Sequence, residues 1–211
     1  MKPTTVIKNW ITGTTPDILK KIHQKDINVA IYNRNIDSLQ EEINNLLKQD
    51  ISVIGSGSIS NILNEVAKII TPNKFYLTYK DIKNSLILFS KVTGTNSFQL
   101  LIETINTNMC RKFHTDVNDL RMLCTYSGPG TLWLTEDNIN RKALDTYKAN
   151  ESIVINENNI QQAQTGAVII LKGSVYKEKT KAAVHRSPTI EENGEKRILL
   201  RIDTTNFLKT C

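Results

Sequence analysis

From residue 97 onward the apolar residues come in runs too short for ordinary helices, several of them bounded by Gly or Pro, and this pattern most narrows the folds open to the chain. Residues 98–105 read as β, and 120–126 (LRMLCTY) end at Ser-Gly-Pro-Gly, 127–130. Residues 167–171 (AVIIL) lie between Gly166 and Gly173. Residues 197–202 (RILLRI) follow Glu-Asn-Gly-Glu at 192–195, an Asn-Gly hairpin signal. Several short strands broken by Gly and Pro turns predict a sandwich or jelly roll.

The first 96 residues have a different character. A short alternating run at 26–33 (DINVAIYN) predicts a strand, and Ile36, Leu39, Ile43, Leu46 and Leu47 then fall at helical spacing. A second strand at 50–54 leads into Gly55-Ser-Gly-Ser58 and a helical pattern through Ile59, Leu63, Val66, Ile69 and Ile70. Strand, Gly-x-Gly, helix is the order of a phosphate loop, but the third glycine of the dinucleotide fingerprint and any Gly-Lys-Ser/Thr are missing. The segment therefore reads as a turn with a serine N-cap. A further helix is predicted over 82–89, ending near Gly94. The expected organisation is an α+β fold: a mostly helical layer, 1–96, packed on a β region, 97–211.

A net charge of +6 raises nucleic acid as a partner, but the basic residues are scattered singly and aromatics make up only 6% of the chain. A solvated surface fits better. Cys110, Cys124 and Cys211 are an odd count without CxxC spacing, which argues against a disulfide framework or a cysteine zinc knuckle. The N-terminal MKPTTVIKNWITG has no apolar leader core, and no run has the length of a membrane span. The expectation is a cytoplasmic protein with neither nucleic acid nor membrane as partner. Oligomeric state is not legible.

Only three histidines occur, and two lie in the β-rich part. His114 stands in Phe-His-Thr-Asp, making His-x-Asp with Asp116, and His185 closes Ala-Ala-Val-His. Residues i and i+2 of a strand point to one side, so His114 and Asp116 can meet one ion together. A histidine from a facing strand completes two imidazoles and one carboxylate, the facial set of non-haem Fe(II) oxygenases, with open positions opposite. Arg197 and Arg201, four apart on the last strand, face the same way, and either could pair with the far carboxylate of a dicarboxylate. Arg121 and Lys172 are alternative anion partners, with solvent exposure the simpler expectation. Buried packing is expected of Cys110 and Cys124, and a core or lid place of Trp10 and Trp133; His23 reads as a solvated helix residue.

Met109-Cys-Arg-Lys-Phe-His-Thr-Asp116, Leu120-Arg-Met-Leu-Cys-Thr-Tyr-Ser-Gly-Pro-Gly-Thr131, Trp133-Leu134 and Ala183-Val-His-Arg-Ser-Pro188 together resemble a bacterial domain family of unknown function, numbered eighteen-twenty-six. The likeness is close over 97–203, thinner before, and brings no established activity. More distantly, the order of 98–105, His114/Asp116, Tyr126, Gly128–Gly130, His185 and Arg197 resembles 2-oxoglutarate-dependent oxygenases of the prolyl-hydroxylase type. That resemblance implies a C-terminal double-stranded β-helix (jelly-roll, cupin-like). It also implies Fe(II) at His114, Asp116 and His185, and 2-oxoglutarate held by Arg197, with Arg201 as alternative and Tyr126 as hydrogen-bond donor. No catalytic residue beyond the metal ligands is implied. The last strand reads Arg197-Ile-Leu where several oxygenase groups have Arg-x-Ser.

The leading expectation is an Fe(II)/2-oxoglutarate dioxygenase acting on a small-molecule or peptide substrate. Its rivals are a cupin-like metalloprotein of other chemistry (thiol dioxygenase, isomerase or zinc hydrolase), a non-enzymatic metal holder, and a barrel without metal.

Overall fold

The chain is described by a computed structural model over residues 8–176 and 180–204; Cys211 lies outside them. Among the described residues ten strands form two sheets: β1 (Trp10–Gly13), β2 (Val29–Tyr32), β3 (Ser52–Ser58), β4 (Ser97–Ile105), β5 (Leu120–Ser127), β6 (Leu132–Trp133), β7 (Gln161–Gln162), β8 (Val168–Lys172), β9 (His185–Arg186) and β10 (Arg197–Thr204). The main sheet runs β1-β2-β8-β5-β10-β4-β3, antiparallel except between β1 and β2. The small sheet runs β7-β6-β9 and is extended by an antiparallel bridge between His114 and His185. From β5 onward the chain passes back and forth between the sheets, β6 and β7 in the small one, β8 in the main, β9 in the small and β10 in the main, which places residues of distant segments face to face.

Alternation within each strand assigns the two faces of the main sheet. Met122, Cys124 and Tyr126 of β5, Val168 and Ile170 of β8, and Ile198, Leu200 and Ile202 of β10 share the large core cluster with the helices. Leu123, Ile169 and Leu171 turn the other way and cluster with Trp133 of the small sheet. A strand buried on both faces reads as a continuous apolar run, which is why AVIIL stood out. The helical layer is α1 (Gln40–Leu47), α2 (Ile59–Ile69) and α3 (Tyr76–Thr93), which bury Ile43, Leu46, Ile62, Val66, Ile82, Leu86 and Phe89 against the sheet. Each such side chain contributes about 1.5–3 kcal/mol by leaving water. Gly94, at φ +70°, closes α3. No helix among the described residues is long and apolar enough to cross a membrane.

Three sequence expectations change. The Gly55–Ser58 segment is not a turn: β3 runs through it, and α2 starts directly from Ser58, whose Oγ accepts from the Asn61 amide at 3.2 Å. The serine cap stands, but the glycines let the helix lie close, since a Cβ on Gly55 would meet Ile62 Cα at 3.3 Å. The Asn-Gly segment is not a hairpin: a 3-10 turn, Glu191–Asn193, precedes Gly194 at φ +62°, and β10 pairs with β5 and β4. β9 belongs to the other sheet, so the chain crosses between sheets here and does not fold back. The main sheet also spans the boundary expected at residue 96, because β1 and β2 form one edge and β3 the other.

Candidate metal centre

His114 and His185 are fixed by their backbones. Each amide N–H donates to the other residue's carbonyl at 3.0 Å, and the imidazole centroids lie 4.6 Å apart. Asp116, two residues on, turns into the same space, and one ligand atom from each of the three residues lies within 4.8 Å of the others. The loop carrying Asp116 is pinned from outside: its carbonyl accepts from the Ser174 amide at 2.8 Å, and the Asn118 carbonyl from the Val175 amide at 3.1 Å. This docking requires glycine at 173, where a Cβ would collide with the Asn118 carbonyl oxygen.

The protonation pattern suits a cation. His114 Nδ1 lies 2.8 Å from the Lys112 carbonyl, which can only accept, so Nδ1 carries the proton and Nε2 is left free toward Asp116 Oδ1, 3.6 Å away. Burial pushes the His185 imidazole down to about 4, keeping it neutral, and its Nε2 is 3.3 Å from Asp116 Oδ2. Asp116 beside it raises His114. Burial opposes the charge on Asp116, but His114, His185 and Arg121 outweigh it and hold the carboxyl near 2. Asp116 Oδ2 is buried with no hydrogen-bond donor. A buried carboxylate oxygen without a donor, with one imidazole nitrogen beside it and a second facing the other oxygen of the same group, suits a divalent cation.

Arg197 projects from the same face of β10 as Leu199, Arg201 and Asp203, alternating with the core residues Ile198, Leu200 and Ile202. It is 1% exposed, its Nη2 donates to Thr125 Oγ1 at 3.2 Å, and its Nε has no acceptor. No carboxylate pairs with it among the described residues, and burial pushes its guanidinium down to about 10. The turn at Gly128 presses on it, since a Cβ there would stand 2.7 Å from Arg197 Cγ. Arg201 is 39% exposed at its side chain and lies 3.2 Å from Asp203 Oδ2.

Tyr126 does not face this space. Its side chain is fully buried among the helices, and its hydroxyl donates to Asp81 Oδ2 of α3 at 2.6 Å. Parity along β5 puts Thr125, Leu123 and Arg121 on the site face, so Thr125 holds the position expected of Tyr126. Arg121 is not solvated either: its side chain is 18% exposed, its Nη1 meets Asp116 Oδ1 at 2.6 Å, and its Nε meets Asp203 Oδ1 at 2.6 Å. Lys172 lies on the helical face, where its ammonium donates to the Gln24 carbonyl at 2.8 Å and sits over the Tyr176 ring. Cys124 is buried on that same face, whereas Cys110 is exposed. Trp133 pairs in register with His185 and lines the inner cluster, with Trp10 edge-on at 5.2 Å. His23 is anchored despite its exposure, Nε2 to the Val92 carbonyl and Nδ1 to the Tyr176 hydroxyl, both 2.7 Å.

Fold and site define a mixed α/β protein built on a large antiparallel sheet, with a His-Asp-His cluster between its two sheets. The chain belongs to the family described as protein of unknown function (DUF1826), which matches residues 13–203. No curated protein matches the sequence. Among solved structures it is similar to a Pseudomonas putida prolyl-4-hydroxylase, with 8% identity, 89% of this chain and 92% of that chain covered, and a TM-score of 0.45. A putative oxygenase from Shewanella oneidensis is similar at 13% identity, 92% and 88% coverage, and a TM-score of 0.49. The iron-bound HygX from Streptomyces hygroscopicus is similar at 7% identity, 91% and 87% coverage, and a TM-score of 0.47.

Proposed function

We propose that this chain is a non-haem Fe(II), 2-oxoglutarate-dependent oxygenase on a double-stranded β-helix, hydroxylating a small-molecule or peptide substrate. One observation carries the reading: a His-Asp-His cluster with a donorless carboxylate oxygen lies, through its contact with Arg121, over the main-sheet face from which a buried arginine projects, and no carboxylate among the described residues pairs with that arginine. A cation site and an anion site so placed suit a metal and a dicarboxylate bound side by side.

His114, Asp116 and His185 hold the ion, and the Lys112 carbonyl fixes the His114 tautomer. Arg197, with Thr125 beside it, receives the far carboxylate of 2-oxoglutarate, satisfying the free Nε. Arg201 is already engaged by Asp203 and serves less well. Iron bound here, with 2-oxoglutarate and O₂, supplies oxidising power for C–H hydroxylation coupled to release of succinate and CO₂. Trp133, Leu123 and Leu199 keep the inner side dry.

The test is anaerobic titration of Fe(II)-loaded protein with 2-oxoglutarate, together with succinate release in air. Saturable binding that is lost in Arg197→Met, and succinate formation that is lost in His185→Ala, are expected. Bound zinc without any 2-oxoglutarate affinity would move the assignment to a hydrolase or a metal holder.

A further inference from the structure

We propose that Arg121 is a positioning residue that withholds one oxygen of Asp116 from the metal, leaving the ion only Oδ2 and keeping the site's cation affinity low. The inference rests on the metal-site reading above. Arg121 Nη1 lies 2.6 Å from Asp116 Oδ1, while Oδ2 has no donor and faces His185 Nε2 at 3.3 Å. The two oxygens of one carboxylate thus differ: Oδ1 is engaged by the guanidinium, with His114 Nε2 3.6 Å away, and Oδ2 has no donor.

Arg121 is held in that pose from behind. Its Nε and Nη2 bind Asp203 Oδ1 and Oδ2 at 2.6 and 3.1 Å, a two-pronged grip that fixes the guanidinium plane. Asp203 is itself fixed by the Asn118 amide at 3.0 Å and by Arg201 Nε at 3.2 Å. In β10–β5 pairing Asp203 stands directly opposite Arg121, so the grip is set by sheet register and does not depend on a mobile loop. A carboxylate free to swing could close both oxygens on a cation and take up a coordination position. One clamped at Oδ1 leaves that position for exogenous ligands. The adjacent guanidinium also repels the ion and draws charge from its only anionic ligand, so it weakens cation binding.

Titration of the metal-free protein with Co(II) alone, followed by its visible absorption, tests this. The variants are Arg121→Gln, Arg121→Lys and the double variant Arg121→Gln/Asp203→Asn, with His185→Ala as control. The double variant removes both buried charges and so leaves Asp203 without an unmet charge if the single change fails to fold. Wild type binds one Co(II), and His185→Ala does not. Removing the guanidinium is expected to tighten Co(II) binding on the order of tenfold and to weaken the visible bands as Asp116 adds its second oxygen. Arg121→Lys, which keeps the charge, stays near wild-type affinity. A merely structural arginine predicts the opposite sign, weaker binding with an unchanged spectrum, and that result in a folded variant overturns the proposal. Wild type that binds no Co(II) would instead fell the metal-site reading itself.

Discussion

His114 and His185 are partners in a two-residue antiparallel bridge, each donating its amide to the other's carbonyl at 3.0 Å. Backbone, and not ligation, therefore brings the imidazoles together, and the site is preformed. Replacing either histidine with Ala should abolish stoichiometric metal while leaving the far-ultraviolet spectrum intact. The stability loss should be about 1–2 kcal/mol. Elemental analysis and denaturant melts check this; full metal retention in both variants would remove the cluster from consideration.

Arg197 is a buried cation with no anionic partner among the described residues, so it should cost stability in the ligand-free protein. Arg197→Met should raise unfolding free energy by about 1–3 kcal/mol, since an apolar chain of similar length escapes the desolvation penalty. The same variant should weaken 2-oxoglutarate at least tenfold, a trade that urea melts and calorimetric titration read separately. A destabilised variant with unaltered 2-oxoglutarate affinity would contradict the assignment.

Tyr126 and Asp81 belong to a different device. Arg34 grips Asp81 with both Nη atoms, at 2.5 and 2.8 Å, and Tyr126 donates to the same carboxylate, tying α3 to the sheet. Tyr126→Phe should cost about 1–2 kcal/mol, and Asp81→Asn about 3 kcal/mol by stranding Arg34. Neither should move 2-oxoglutarate affinity by more than about twofold.

The cysteines should differ in reactivity. Burial pushes the Cys124 thiol up to about 11, whereas Cys110 is exposed. At pH 8 native protein should alkylate at Cys110 and spare Cys124, and peptide mapping by mass spectrometry distinguishes them. Labelling of Cys124 at the rate of Cys110 would mean that the helical face opens readily.

The short strand β8 was legible because both of its faces are buried, which leaves a continuous apolar run. His114 and Asp116 were read as neighbours on a strand; the structure gives only His114 a β-bridge, and the loop after it turns Asp116 into the same space. What failed depended on contacts between distant segments. Tyr126 was placed in the site because the sequence does not say which parity of β5 faces the helices; Asp81, its partner, lies on α3. Arg121 read as solvated because arginine usually is, and its register opposite Asp203 exists only once β10 has docked. β3 was cut short because its two glycines look like a turn when the packing of α2 against them is unknown.

The threading of the main sheet also decides how the chain can be divided. β3 finds its partner in β4, and β2 finds its partner in β8, so a break near residue 96 would leave each piece with an open hydrogen-bonding edge that only the other piece fills. Two such fragments, each insoluble or unfolded by itself, should recombine when expressed together, and recovery of the metal site would report that the two pieces had found each other.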